Sequence, residues 1–193
     1  SQAARLTERL GDVDILVNNV GLFGLADFAD VADADWARYF EVNVMSGVRL
    51  SRSLLPGMRE RGWGRIVFVS SESGVNVPAD MVHYGVTKAA MIALGNGLAK
   101  LTRGTGVTVN TVLGGPTYSE GVAASVAAIA EARSVSEEVM KEAIIGQNAT
   151  TLLGRFLDPA EVADLVVYLS SVRASATNGA ALRADGGVLT AML

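Results

Sequence analysis

The chain has 193 residues, half of them hydrophobic and 19% charged, with a formal net charge of −4. That balance offers no basic patch for a phosphodiester backbone, which argues against nucleic acid as a partner. The absence of cysteine excludes disulfide frameworks and Cys-based zinc sites, and a single histidine argues against any metal site. No apolar run approaches the ~18–20 residues of a membrane span, and residues 1–10 are too charged for a signal peptide, so no membrane is expected and the expected location is cytoplasmic. Such an apolar composition suits a parallel sheet covered on both faces, with some surface buried between subunits.

In chain order, residues 1–10 read as the end of an amphipathic helix (Ala4, Leu6, Leu10) stopped by Gly11. Residues 13–17 form a short buried strand. Asn18, Asn19, Val20 and Gly21 follow at its carboxyl end, where open α/β sheets place their ligands, although an ordinary Asn/Gly turn has an equal claim. Asp33 is the expected N-cap of a long helix carrying Trp36, Phe40, Val44, Val48 and Leu55, with Pro56 and Gly57 bending its last part. Asn43 lies mid-helix, where asparagine has poor propensity. Either it is a tolerated polar group or its side chain is occupied elsewhere.

The next stretch is the most informative. Ile66, Val67, Phe68 and Val69 read as a strand, followed by Ser70, Ser71, Glu72, Ser73 and Gly74 and a loop over 74–80 containing Pro78. The apolar spacing of residues 82–103 predicts a helix, which places Tyr84 and Lys88 one turn apart on a single face. A neighbouring cation favours tyrosinate, so Lys88 is expected to lower the Tyr84 pKa toward neutrality. With four tyrosines and three lysines, chance supplies a Tyr-x-x-x-Lys match about 0.06 times per chain. The strand and serine loop in front of it make the pattern more specific, because the loop can return Ser71 to face the phenol. Ser70 and Ser73 are the fallback serines, and His83 reads as a packed or exposed neighbour.

Residues 107–112 form the next strand, ending in Leu113, Gly114, Gly115, Pro116, Thr117, Tyr118 and Ser119. The glycine pair lets the backbone approach a ligand, and Thr117 or Ser119 can bond to a carboxamide or phosphate. Residues 120–148 predict two short helices. Asp158, Pro159 and Glu161 mark a helix start that continues through 162–170. A last strand over 180–184 closes in Asp185, Gly186 and Gly187. Alternating strands and helices predict an α/β fold, a Rossmann-like doubly wound parallel sheet.

These residues resemble the short-chain dehydrogenase/reductase family. Asn18-Asn19-Val20-Gly21 is similar to its Asn-Asn-Ala-Gly signature, Asn43 stands at its helical catalytic asparagine, and Ser71, Tyr84 and Lys88 match its catalytic serine and Tyr-x-x-x-Lys. The resemblance spans nearly all 193 residues and implies NAD(P)-dependent hydride transfer on a small alcohol or ketone. It implies Asn43, Ser71, Tyr84 and Lys88 as catalytic residues, with Asn43 kinking its helix and holding a water beside Lys88. Asn19, Val20, Gly21, Tyr84, Lys88, Gly115, Pro116 and Thr117 are implied as cofactor contacts, 117–150 as a substrate lid, and a homo-oligomer, dimer or tetramer, as the assembly. The family usually has Pro-Gly where this chain has Gly114-Gly115.

A dinucleotide-binding sheet opens with a strand, a Gly-rich turn and a helix, and an acidic or basic residue further on selects NAD or NADP. Neither is found here. The expectation is that residues 1–193 form a single domain lacking its first two βα units, so that NAD and NADP are not distinguished and the first strand is an apolar edge. Two rival functions remain open: an epimerase or dehydratase on the same scaffold, and a non-catalytic assembly fragment.

Overall fold

In the computed structural model, which describes residues 5, 6, 9–147 and 150–192, four parallel strands run in the order β1 (Ile15–Asn18), β2 (Trp63–Ser71), β3 (Gly106–Gly114) and β4 (Ala181–Ala184). Spatial order equals chain order, so each crossover leads to the adjacent strand. The register aligns the strand ends: Asn18 pairs with Phe68, Ser71 with Gly114, and Gly114 with Ala184. The chain therefore leaves each strand along one rim, where ligands bind in open α/β sheets.

Both faces of the sheet are covered, which is why β2 reads as an uninterrupted apolar run. Ile66, Phe68, Val107 and Val109 pack with Leu54, Leu55, Met58 and Met91 from helices α2 (Ser46–Arg61) and α3 (Val82–Lys100). On the other face Val67 and Val112 meet Leu169 of helix α6 (Pro159–Ser170). Helices α4 (Glu120–Arg133) and α5 (Glu137–Gln147) form the expected helical pair over 120–148 and share a small core of Val126, Ala130 and Met140. Asn148 lies outside the described residues. The predicted leading helix falls partly outside them too, and of its key positions Ala4 is not described, whereas Leu6 and Leu10 are helical and exposed.

The long helix differs from its prediction in two ways. Helix α1 (Asp33–Tyr39) is capped by Ala32 with no side-chain bond, so Asp33 is the first helical residue and not the N-cap. Between α1 and α2 the backbone widens into a π-helical stretch, Phe40–Met45, centred near Asn43. Such widened turns gather at functional sites. Pro56 is accommodated inside α2, which ends at Gly62 in the left-handed conformation (φ 76°).

The capping box at α6 forms as its sequence predicts: Asp158 accepts from the Ala160 amide at 2.8 Å, and Glu161 accepts from the Asp158 amide at 2.8 Å. Arg155 adds a fork of two bonds to the Glu161 carboxylate, both 2.8 Å. These bonds fix the start of a helix whose first turns line the cleft described next.

Candidate active site

Ser71, Tyr84 and Lys88 converge on one cleft of about 560 Å³ at the carboxyl rim of the sheet. Two close approaches bring them there. Gly74 lies so near the backbone of α3 that a Cβ would stand 2.8 Å from the Lys88 carbonyl carbon. A Cβ on Gly85 would stand 2.8 Å from Ser73 O and 2.6 Å from Val77. Only glycine at both positions lets the serine turn Glu72–Gly74 lie flat on α3, one residue from Tyr84. Ser70 completes the junction by donating to Lys88 O at 2.9 Å, and that structural bond occupies one of the two fallback serines.

The electrostatics correct one expectation. Tyr84 is pushed up to about 12, because burial disfavours the phenolate; a hydrogen bond with Ser71 opposes the rise, while Glu72 and Tyr39 add to it. Lys88 does not lower it. Its Nζ stands 5.5 Å from the centre of the Tyr84 ring and donates to Val69 O at 3.0 Å. Burial also pushes Lys88 down to about 8, opposed by the Glu72 charge. Desolvation is the largest influence on both groups.

Asn43 stands behind the cleft, 1% exposed. Its Oδ1 accepts from the Leu22 amide at 2.7 Å, and its Nδ2 donates to Leu22 O at 3.0 Å and to Thr87 Oγ1 at 2.9 Å. The side chain therefore ties the loop after β1 to α3. The water-holding role expected beside Lys88 is not one this side chain can fill with its amide hydrogens, both of which are committed. Gly21 sits between the two groups: a Cβ there would lie 3.6 Å from Asn43 Oδ1 and 3.6 Å from Lys88 Nζ.

Of the other expected contacts, Asn19, Gly21, Gly115 and Thr117 line the cleft. Val20 and Pro116 do not: Val20 is 66% exposed, and the Pro116 carbonyl accepts from the Leu157 amide at 2.8 Å. Thr117 Oγ1 donates to Gly115 O at 2.9 Å, and Ser119 caps α4. Gly115 is required by packing, since a Cβ would come within 2.4 Å of Asp185 O. His83 is buried, 4.4 Å from the Tyr39 ring centre in an edge-to-face contact. Sequence reasoning missed the opposite wall, Pro159, Val162, Ala163 and Val166 of α6, because nothing in a capping box says which way its helix faces. It also assigned nothing to Glu72, although that residue directly follows Ser71.

The chain belongs to the short-chain dehydrogenase/reductase family. The family model described as enoyl-(acyl carrier protein) reductase matches residues 1–189. An uncharacterized oxidoreductase of Bacillus subtilis, YvrD, is 45% identical over 99% of this chain and 74% of its own length. Acetoacetyl-CoA reductase of Rhizobium meliloti is 36% identical over 95% of the chain and 71% of its own. Among solved structures, L-sorbose reductase from Gluconobacter frateurii complexed with NADPH and L-sorbose superposes with a TM-score of 0.91 at 30% identity, over 99% of this chain and 72% of that one. The alignment falls on the carboxyl-terminal ~70% of the family's Rossmann fold.

Proposed function

We propose that this protein is an NAD(P)-dependent oxidoreductase that moves a hydride between a nicotinamide and the carbon of a small alcohol or ketone. The convergence of Ser71, Tyr84 and Lys88 on one cleft carries this reading. The cleft fits the nicotinamide-ribose half of such a cofactor: Lys88 supplies a cation, Asn19, Thr117 and Ser119 supply polar side chains, and Gly21 leaves the approach to Lys88 open. Among the described residues no Gly-rich turn opening a helix lines it, so the fit is to that half, and NAD is not distinguished from NADP. Val20 stands beside these contacts and would act through its main chain, whereas Pro116, with no amide hydrogen and its carbonyl taken by Leu157, would only shape the loop.

When bound, the cofactor supplies or accepts the hydride. Tyr84 gives its proton to the substrate oxygen during reduction and takes it back during oxidation. Ser71 donates a hydrogen bond to that oxygen as charge develops on it, a contribution of about 3 kcal/mol for a donor of this kind. Lys88 holds the ribose hydroxyls beside the phenol, and Asn43 keeps the Leu22 loop in place above them. The segment 117–150 serves as the substrate lid. Its neck is the pairing of Thr117 with Leu157, where the Tyr118 amide donates to Leu157 O at 2.9 Å.

Tyr84→Phe tests the reading. With NADH or NADPH and a panel of small ketones followed at 340 nm, turnover should fall by roughly 10²–10⁴-fold while cofactor affinity stays unchanged. Retained turnover removes Tyr84 from the proton transfer.

A further inference from the structure

The Ser71 hydroxyl has one proton and two claimants. Its Oγ donates to Glu72 Oε2 and accepts from the Ser73 amide at 3.1 Å, and a reacting oxygen in the cleft it lines beside Tyr84 would compete for the same proton. The carboxylate is itself fixed, because Oε2 accepts from the Ser73 amide at 2.7 Å and Oε1 from Ser73 Oγ at 3.2 Å. An ionised carboxylate is a stronger acceptor than a phenol or a ketone oxygen. It therefore wins the proton.

We propose that Glu72 is a positioning residue that gates Ser71: its carboxylate holds the Ser71 proton away from the reacting oxygen, and neutralising that carboxylate releases it. This deepens the oxidoreductase reading and rests on it. While Glu72 is ionised, the Ser71 proton is held on the serine turn and is not offered to an oxygen in the cleft. Once Glu72 carries a proton, Ser71 turns its own toward the cleft. The charge has a second effect, favouring the protonated forms of Tyr84 and Lys88. Those two are the titratable groups that face this turn from α3. Tyr39 reaches Tyr84 from α1 with His83 packed on its ring, and β3 brings no titratable side chain.

The test uses two readouts on the unaltered protein and on Glu72→Gln. In carbonyl reduction with NADPH, kcat of the unaltered protein should rise on the acid side as the carboxylate takes up its proton, and Glu72→Gln should be fast at neutral pH and lack that rise. A structural role for Glu72 would lower kcat without removing the pH dependence. Lysine ¹³Cε resonances, with Lys88 assigned by Lys88→Arg, give the second readout and need no turnover. The Lys88 midpoint should fall by about half a pH unit in Glu72→Gln, roughly threefold in proton affinity, and hold in Glu72→Asp. In the unaltered protein the same resonance should show a second, smaller inflection on acidification. A missing inflection overturns the gate whether or not Glu72→Gln folds, and so does an acid-side rise that survives the substitution. Coupling without any turnover would instead overturn the oxidoreductase reading.

Discussion

Tyr84 keeps its proton across the neutral range, since burial holds the phenol at about 12, and a protonated phenol is the form that carbonyl reduction needs. Lys88 is the opposite case. Its midpoint of about 8 in the fold lies below the 10.5 of a free lysine. Between those values the unfolded chain binds more protons than the folded one, so stability should rise with pH across that window. Tyr84 reverses the trend above about pH 10, where the unfolded chain alone ionises. Urea midpoints at pH 8, 9 and 10 should therefore increase, and Lys88→Met should remove the increase; an unchanged slope in that variant would show that Lys88 carries its charge at no penalty. At this scale the sequence names the three convergent residues but misjudges their electrostatics. Adjacency of Tyr84 and Lys88 is legible in a four-residue spacing. How far each is stripped of water is not, because residues far along the chain close over them.

At the level of elements, the serine turn and α3 interlock through Gly74 and Gly85, and alignment of the site depends on that contact. A methyl group at residue 85 meets main chain at Ser73 O as well as the Val77 side chain, so the loop must move. Gly85→Ala should destabilise the fold by about 1–3 kcal/mol and depress turnover further than the stability loss accounts for. Thermal unfolding compared with kcat separates the two effects, and a variant that matches the parent in both would show that the turn is freely adjustable. Local signals served the sequence reading well where an element is defined by its own residues: the Asp158 capping box and the β2 run both form as expected. They served poorly where the determinant is remote. The π-helical stretch is not legible in the apolar pattern, because Trp36, Phe40, Val44 and Val48 keep an ordinary helical spacing, and only the family resemblance points to a kink at Asn43. The partners that occupy the Asn43 amide, Leu22 and Thr87, lie 21 and 44 residues away.

Across the whole molecule, the layered sheet and the rim that carries the cleft were both legible, since alternation of strand and helix dictates where the loops gather. Among the described residues β1 pairs on one side only, and Ile15 and Val17 are 44% and 41% exposed there, the apolar edge that the composition of this strand implies. No helix among the described residues is long and apolar enough to cross a membrane. The floor of the cleft is built from both halves of the chain: Gly115 donates to Ala184 O at 3.1 Å and touches the Asp185 backbone, whose carboxylate holds the Gly187 and Leu189 amides at 3.0 Å. Arg183 then draws Ala191 O in at 2.8 Å. The segment after β4 is thereby latched to the cleft floor, so the protection of its amides reads the state of that floor. Gly115→Ala, by prising Asp185 loose, should speed hydrogen exchange at the Gly187 and Leu189 amides, followed by mass spectrometry, and unchanged protection there would show that the floor absorbs the added methyl.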